Sequence, residues 1–110
     1  MIRVKIFERS GKIIGFSYKG HAGYADYPND IVCAGVSAQL MMAYNGLEEI
    51  LKVPMKMEMD DNGGRFEFKL SEYTEEELEK SQVIMETLKL GLLGIEAQYK
   101  ANITLKEEEV

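Results

Sequence analysis

A chain of 110 residues, 45% apolar and 29% charged, has the make-up of one folded domain with room for a single two-layer core, not of a disordered chain. Its 19 acidic against 13 basic side chains, a net charge of −6, argue against a direct nucleic-acid binder, which must neutralise phosphates. No apolar run approaches the ~20 residues of a membrane span, and Met1-Ile2-Arg3-Val4-Lys5 holds no signal-peptide block. With one cysteine there is no internal disulfide, which agrees with a reducing compartment, so the expected location is the cytoplasm. No Lys/Arg cluster stands out along the chain, and an acidic surface suits a basic polypeptide partner better than a polyanion.

Period-two alternation opens the chain. Ile2, Val4 and Ile6 form a first strand, and after a turn at Ser10-Gly11-Lys12 the residues Ile14, Phe16 and Tyr18 form a second. A helix is predicted from Asp30 to about Leu51, with Val36, Leu40, Ala43, Leu47 and Ile50 as its apolar stripe and Asp30 as N-cap. Strand three carries Val53, Met55, Met57 and Met59, and the turn Asp61-Asn62-Gly63-Gly64 leads to strand four with Phe66, Phe68 and Leu70. Thr74-Glu75-Glu76-Glu77 reads as a capping box. The helix it opens has the stripe Leu78, Ser81, Met85, Leu88, Leu92, Ile95 and Tyr99, and Gly91 and Gly94 are expected where it nears a neighbour. Ala101, Ile103 and Leu105 form a last strand, and Glu107-Glu108-Glu109 is expected to fray in solvent. The order β-β-α-β-β-α-β over a single domain, 1–110, predicts an α/β (α+β) two-layer sandwich. Its five-stranded, largely antiparallel sheet carries both helices on one face, because every strand has a polar second side.

Chemistry concentrates at one junction. His21 and Cys33, the only residues of their types, lie twelve positions apart between the second strand and the first helix. A thiol in the first turn of a helix is a candidate nucleophile, since the free N–H groups there favour an anion and a nearby imidazole can take its proton. The bland alternative is a core cysteine: Cys33 shares a helical face with Ser37, Leu40, Tyr44 and Leu51. The connecting loop Ala22-Gly23-Tyr24-Ala25-Asp26-Tyr27-Pro28-Asn29 is long for so small a domain, as binding loops are.

The residues Gly20-His21-Ala22, followed by Asp30-Ile31-Val32-Cys33-Ala34 and Val36-Ser37, resemble the signature of the ribosomal-processing cysteine protease family Prp. The resemblance extends over nearly the whole chain. It implies a cysteine peptidase with His21 and Cys33 as catalytic dyad and Ser37 as the motif serine. It also implies a homodimer, and as substrate ribosomal protein twenty-seven of the large subunit, whose N-terminal extension is removed during ribosome maturation. Two departures stand out: Pro28 or Asn29 where the family pattern has glycine, and Gly35 where it has a second alanine.

In the expected mechanism His21 deprotonates Cys33 and the thiolate attacks the scissile carbonyl; the backbone N–H of Cys33 and a neighbour in the first turn are candidate oxyanion donors, insofar as the Asp30 cap leaves them free. Asp26 and Asp30 are the candidate carboxylates to orient the imidazole, and Ser37 a further support, with a back-bond to the Cys33 carbonyl as its alternative. Gly20, Ala22, Tyr24 and Tyr27 are candidate groove residues. No cofactor and no metal is expected: one His and one Cys beside two Asp lack zinc-site spacing. There is also no Cys-x-x-Cys pair and no P-loop. A peptide-binding or ribosome-assembly module of the same fold, without catalysis, is the competing class.

Overall fold

A computed structural model describes all 110 residues. The elements are β1 (Ile2–Arg9), β2 (Lys12–Lys19), α1 (Ile31–Asn45), β3 (Met55–Met59), β4 (Arg65–Leu70), α2 (Glu75–Gln98) and β5 (Ile103–Glu109). The five strands make one sheet in the order β3-β4-β2-β1-β5. Three neighbouring pairs are antiparallel and β5 runs parallel to β1, so the sheet is mixed, and both helices cover one of its faces. No helix is long and apolar enough to cross a membrane.

The alternation read from the sequence sets the core. Ile2, Val4, Ile6, Phe16, Tyr18, Phe66, Phe68 and Ile103 are buried beneath Val36, Leu40, Ala43 and Leu47 of the first helix and Met85, Leu88 and Leu92 of the second. The Tyr44 ring meets Phe66 edge-on at 5.9 Å and Phe68 at 5.8 Å, which pins the C-terminal end of α1 over β4. The capping box of α2 forms as read, with the Thr74 hydroxyl accepting from the Glu77 N–H and the Glu77 carboxylate accepting from the Thr74 N–H. Ser81 is fully buried, and its hydroxyl donates to the Leu78 carbonyl.

Four expectations need correction. The first helix changes to π winding over Gly46–Ile50, and the wider turn rotates Ile50 off the apolar stripe to 79% exposure. Along β3 only Met55 packs against the core; Met57 and Met59 are exposed, because this edge strand runs out beyond the helix layer. Glu107–Glu109 do not fray: they pair in parallel with Ile6–Glu8, and Lys89 of α2 holds Glu107 at 2.6 Å. Gly91 does lie where α2 nears a neighbour, since a Cβ there would collide with the Gln39 amide, but Gly94 faces open space.

The end of the sheet where β2 finishes, beside the start of α1, holds the residues of chemical interest. Gly20 sits there at φ +95, its N–H donating to the Gly64 carbonyl at 2.9 Å. A Cβ at Gly20 would lie 2.7 Å from the Met1 carbonyl oxygen, so only glycine lets the chain turn at this point toward His21.

Candidate active site

The first turn of α1 is organised by Asp30. Its backbone is extended (φ −81, ψ 95), and one carboxylate oxygen accepts from the N–H groups of Val32 at 3.1 Å and Cys33 at 3.0 Å. The other oxygen accepts from the Tyr24 N–H at 3.1 Å, so a single side chain fastens the loop to the helix it caps. Desolvation pushes the Asp30 carboxyl up. The N–H donors of Cys33, Tyr24 and Ala25 outweigh it and hold the group below the ordinary carboxylate range.

Cys33 is half-buried, against the core but not within it. Its sulfur accepts a hydrogen bond from the Ala22 N–H at 3.1 Å. Ala22 is buried and is itself held by the Asn102 amide, which donates to its carbonyl at 3.0 Å. Burial pushes the Cys33 thiol above its ordinary value. The Ala22 N–H works against that rise, and the Asp30 carboxylate adds to it. The thiol is therefore stored protonated in this state.

His21 is exposed at the mouth of the same cleft. Its imidazole makes no hydrogen bond to Cys33, and its Nε2 faces the turn at Gly64. The two singletons of the sequence thus line one cleft of about 680 Å³ with no hydrogen bond between them. Tyr18, Ser37, Asp26, Asp30, Tyr27 and Gly63 are among its other walls.

Neither carboxylate orients the imidazole. Both oxygens of Asp30 are committed to backbone donors, and the exposed Asp26 side chain makes no hydrogen bond. Of the candidate oxyanion donors in the first turn, the Cys33 N–H is not free, because it is taken by the Asp30 cap. Ser37 does not bond back to the Cys33 carbonyl; its hydroxyl donates to the Tyr18 phenol at 3.3 Å. Tyr18 in turn donates to the Gly63 carbonyl at 3.3 Å, which ties α1 and β2 to the β3–β4 turn. Gly20 and Ala22 line up as backbone anchors. Tyr24 stacks edge-on against Tyr99 at 5.5 Å, and Tyr27, 95% exposed, stands at the rim beside Pro28, whose peptide bond is cis.

Sequence reasoning missed Tyr18, Asn62, Gly63 and Asn102. Tyr18 was placed in the core by alternation, which it is, but its hydroxyl emerges into the cleft. The Asn62-Gly63 turn carried only a hairpin signal, and Asn102 none. A second depression of about 540 Å³ between α2 and β5, lined by Met1, Lys100 and Thr104 among others, holds neither nucleophile nor imidazole.

The cleft's likeness to known proteins extends to the whole chain. The family model described as cysteine protease Prp matches residues 1–104. The ribosomal processing cysteine protease Prp of Staphylococcus aureus is 35% identical over 95 residues, covering 86% of this chain and 87% of that one. Its Bacillus subtilis counterpart is 33% identical over 92 residues, covering 83% and 82%. Among solved structures, the S. aureus protease with a covalently linked product peptide superposes with a TM-score of 0.88 at 34% identity, covering 98% of this chain and all of that one. The same protease with a substrate peptide gives 0.82 at 31% identity, with the same coverage. The chain belongs to the Prp family and is a cysteine peptidase.

Proposed function

We propose that the protein cleaves the N-terminal extension from ribosomal protein twenty-seven of the large subunit, with Cys33 as nucleophile and His21 as general base and acid. One observation carries the residue assignment: a half-buried thiol at a capped helix N-terminus opens into the same cleft as the only imidazole in the chain. The substrate follows the ribosomal processing role named for the S. aureus and B. subtilis relatives.

Because the free thiol is protonated, the reaction begins when the His21 imidazole turns from Gly64 to the sulfur and takes its proton. The thiolate then attacks the scissile carbonyl. The C–N bond breaks as the His21 imidazolium returns the proton to the leaving amine, and water hydrolyses the thioester that remains. The Ala22 N–H, which donates to the sulfur at 3.1 Å and loses that partner as the sulfur bonds to carbon, is a donor for the oxyanion in place of the Cys33 N–H held by the cap. Asp30 shapes the site by fastening loop to helix, and Ser37 by holding Tyr18. Tyr27 lines the cleft where a bound peptide would pass, whereas Tyr24 is not among its walls and packs against Tyr99.

The reading includes a homodimer in the cytoplasm, where ribosomes mature. Val83, Leu90 and Leu93 are exposed along α2 and are the apolar positions a second copy would cover; sedimentation of Leu90→Glu as monomer and wild type as dimer tests this.

Incubation with the extended ribosomal protein tests the function. Cleavage that disappears in both Cys33→Ala and His21→Ala supports it. Binding without cleavage, unchanged by Cys33→Ala, would establish a non-catalytic module instead.

A further inference from the structure

We propose that the open face of the sheet docks RNA through its phosphates. The net charge of −6 averages over two unlike sides of the molecule. Strand register puts Arg3, Lys19 and Arg65 side by side on one rung of the uncovered face. The next rung carries Lys106 and Lys5, and the third Lys69 and Lys56. Glu58, Glu67 and Glu108, with Asp60 beside Arg65 at the edge, oppose these seven cations, a net of +3, which leaves −9 for the remainder of the chain. In sequence each cation is isolated by its strand's alternation, which is why no cluster is visible there.

The pairing pattern leaves most of this charge available. Lys5 lies 3.7 Å from Glu108, and Arg65 reaches Glu58 at 2.8 Å and Glu67 at 3.6 Å. Arg3, Lys19, Lys56, Lys69 and Lys106 have no carboxylate partner, so five free cations stand on a surface five strands wide, ~19 Å at the usual strand spacing. Eight of the 19 acidic side chains belong to the helical segments on the other side of the sheet, a layer ~10 Å thick against the ~8 Å over which physiological salt screens a charge. A polyanion at the sheet therefore meets the local field, not the net one.

The character of the face selects RNA over an acidic protein. Protein interfaces need apolar or aromatic anchors at their centre and are depleted in lysine. Here the one large apolar side chain, Phe7, is buried under Lys69, whose Nζ sits 4.2 Å from its ring centre. A broad, polar, lysine-rich surface without anchors is what backbone phosphates require. The rung of Arg3, Lys19 and Arg65 is also the one next to Gly20 and Gly64, so a bound strand would run up to the edge of the peptidase cleft. Docking rests on the charge pattern alone and does not depend on which polypeptide is cleaved.

Fluorescence anisotropy with a labelled, unstructured RNA of about 20 nucleotides tests it. Micromolar binding is expected in about 50 mM salt, weakening about fiftyfold by about 150 mM, as five phosphate contacts on a single strand predict. The triple variant Lys5→Glu, Lys56→Glu, Lys106→Glu should lose at least about tenfold in affinity. The triple Lys52→Glu, Lys80→Glu, Lys100→Glu has the same net charge but sits off this face, and should stay within about twofold of wild type. If the first triple fails to fold, the corresponding Lys→Gln triple replaces it. No binding at low salt, equal losses in both triples, or tighter binding to anionic phospholipid vesicles than to RNA would each overturn the proposal.

Discussion

The two sides of the cleft are built differently. Cys33 belongs to a helix whose first turn is capped, whose next turns are core, and whose thiol is held by a backbone N–H. His21 hangs outside β2 after a glycine, exposed, with its ring bonded to nothing. The proposed nucleophile is fixed by the fold, whereas the proposed base depends on the backbone path that leads to it. Such an arrangement keeps a thiol protonated until the imidazole is brought onto it, which protects a reactive group in the absence of substrate.

The largest test of this contrast removes each partner in turn. Cys33→Ala should abolish peptide cleavage. His21→Ala should lower kcat/KM by about 10²–10⁴, the range for a lost general base. Thermal unfolding should barely register His21→Ala, since the ring is exposed and makes no hydrogen bond. A melting-temperature loss in His21→Ala comparable to that of a core substitution would contradict the contrast.

Gly20→Ala attacks the base's side without touching the imidazole. The new methyl meets the Met1 carbonyl and must adopt φ +95, a strain of about 1–3 kcal/mol. Relieving it moves His21, so cleavage should fall while alkylation of Cys33 by iodoacetamide proceeds at its wild-type rate. If both reactions slow together, Gly20 supports the whole junction and not the base alone.

Asp30→Ala attacks the nucleophile's side and should separate reactivity from function. Losing the cap costs about 0.5–2 kcal/mol. The Asp30 carboxyl titrates below its ordinary value when folded, so its contribution is present above the unfolded pKa and is lost as pH falls through the lower folded one. The stability gap between wild type and variant should therefore close in acid. The same carboxylate raises the Cys33 thiol, and its removal also frees the Val32 and Cys33 N–H groups toward the sulfur. Cys33 should then alkylate faster at neutral pH even as cleavage declines. Asp30→Asn, which keeps a capping oxygen but not the charge, should alkylate faster with little loss of stability.

How much of this was readable in the chain follows from range. Local signals came through: the Asp30 cap, the Thr74–Glu77 box and the alternation that buries Phe16 and Phe68 each depend on neighbours within four positions. The meeting of His21 and Cys33 in one cleft was legible because both flank a single loop. Pairings between distant strands were not. The Glu107–Glu109 segment looks like a solvated tail until β1 is placed beside it, and the cations of the open face look scattered until register aligns them. The use of the Cys33 N–H by its own cap was a matter of competition between two local roles, and geometry alone decided it.

The smallest effect tests the one link between the two sides. Tyr18 accepts from Ser37 on the nucleophile's helix and donates to Gly63, in the turn that faces His21. Tyr18→Phe keeps the buried ring and removes the hydroxyl, which leaves Ser37 and the Gly63 carbonyl to the water of the cleft. At 3.3 Å both bonds are long, and both sit beside solvent, so the cost should be about 0.5–1.5 kcal/mol. If the hydroxyl only braces the fold, Ser37→Ala and Tyr18→Phe should lower the melting temperature and leave kcat unchanged. If it sets the distance between helix and turn, both should lower kcat with KM constant, and the double variant should lose no more than either alone, because each breaks the same chain of bonds. The second outcome is expected, since the Gly63 carbonyl is next to Gly64, the residue against which the imidazole rests before it moves to the thiol.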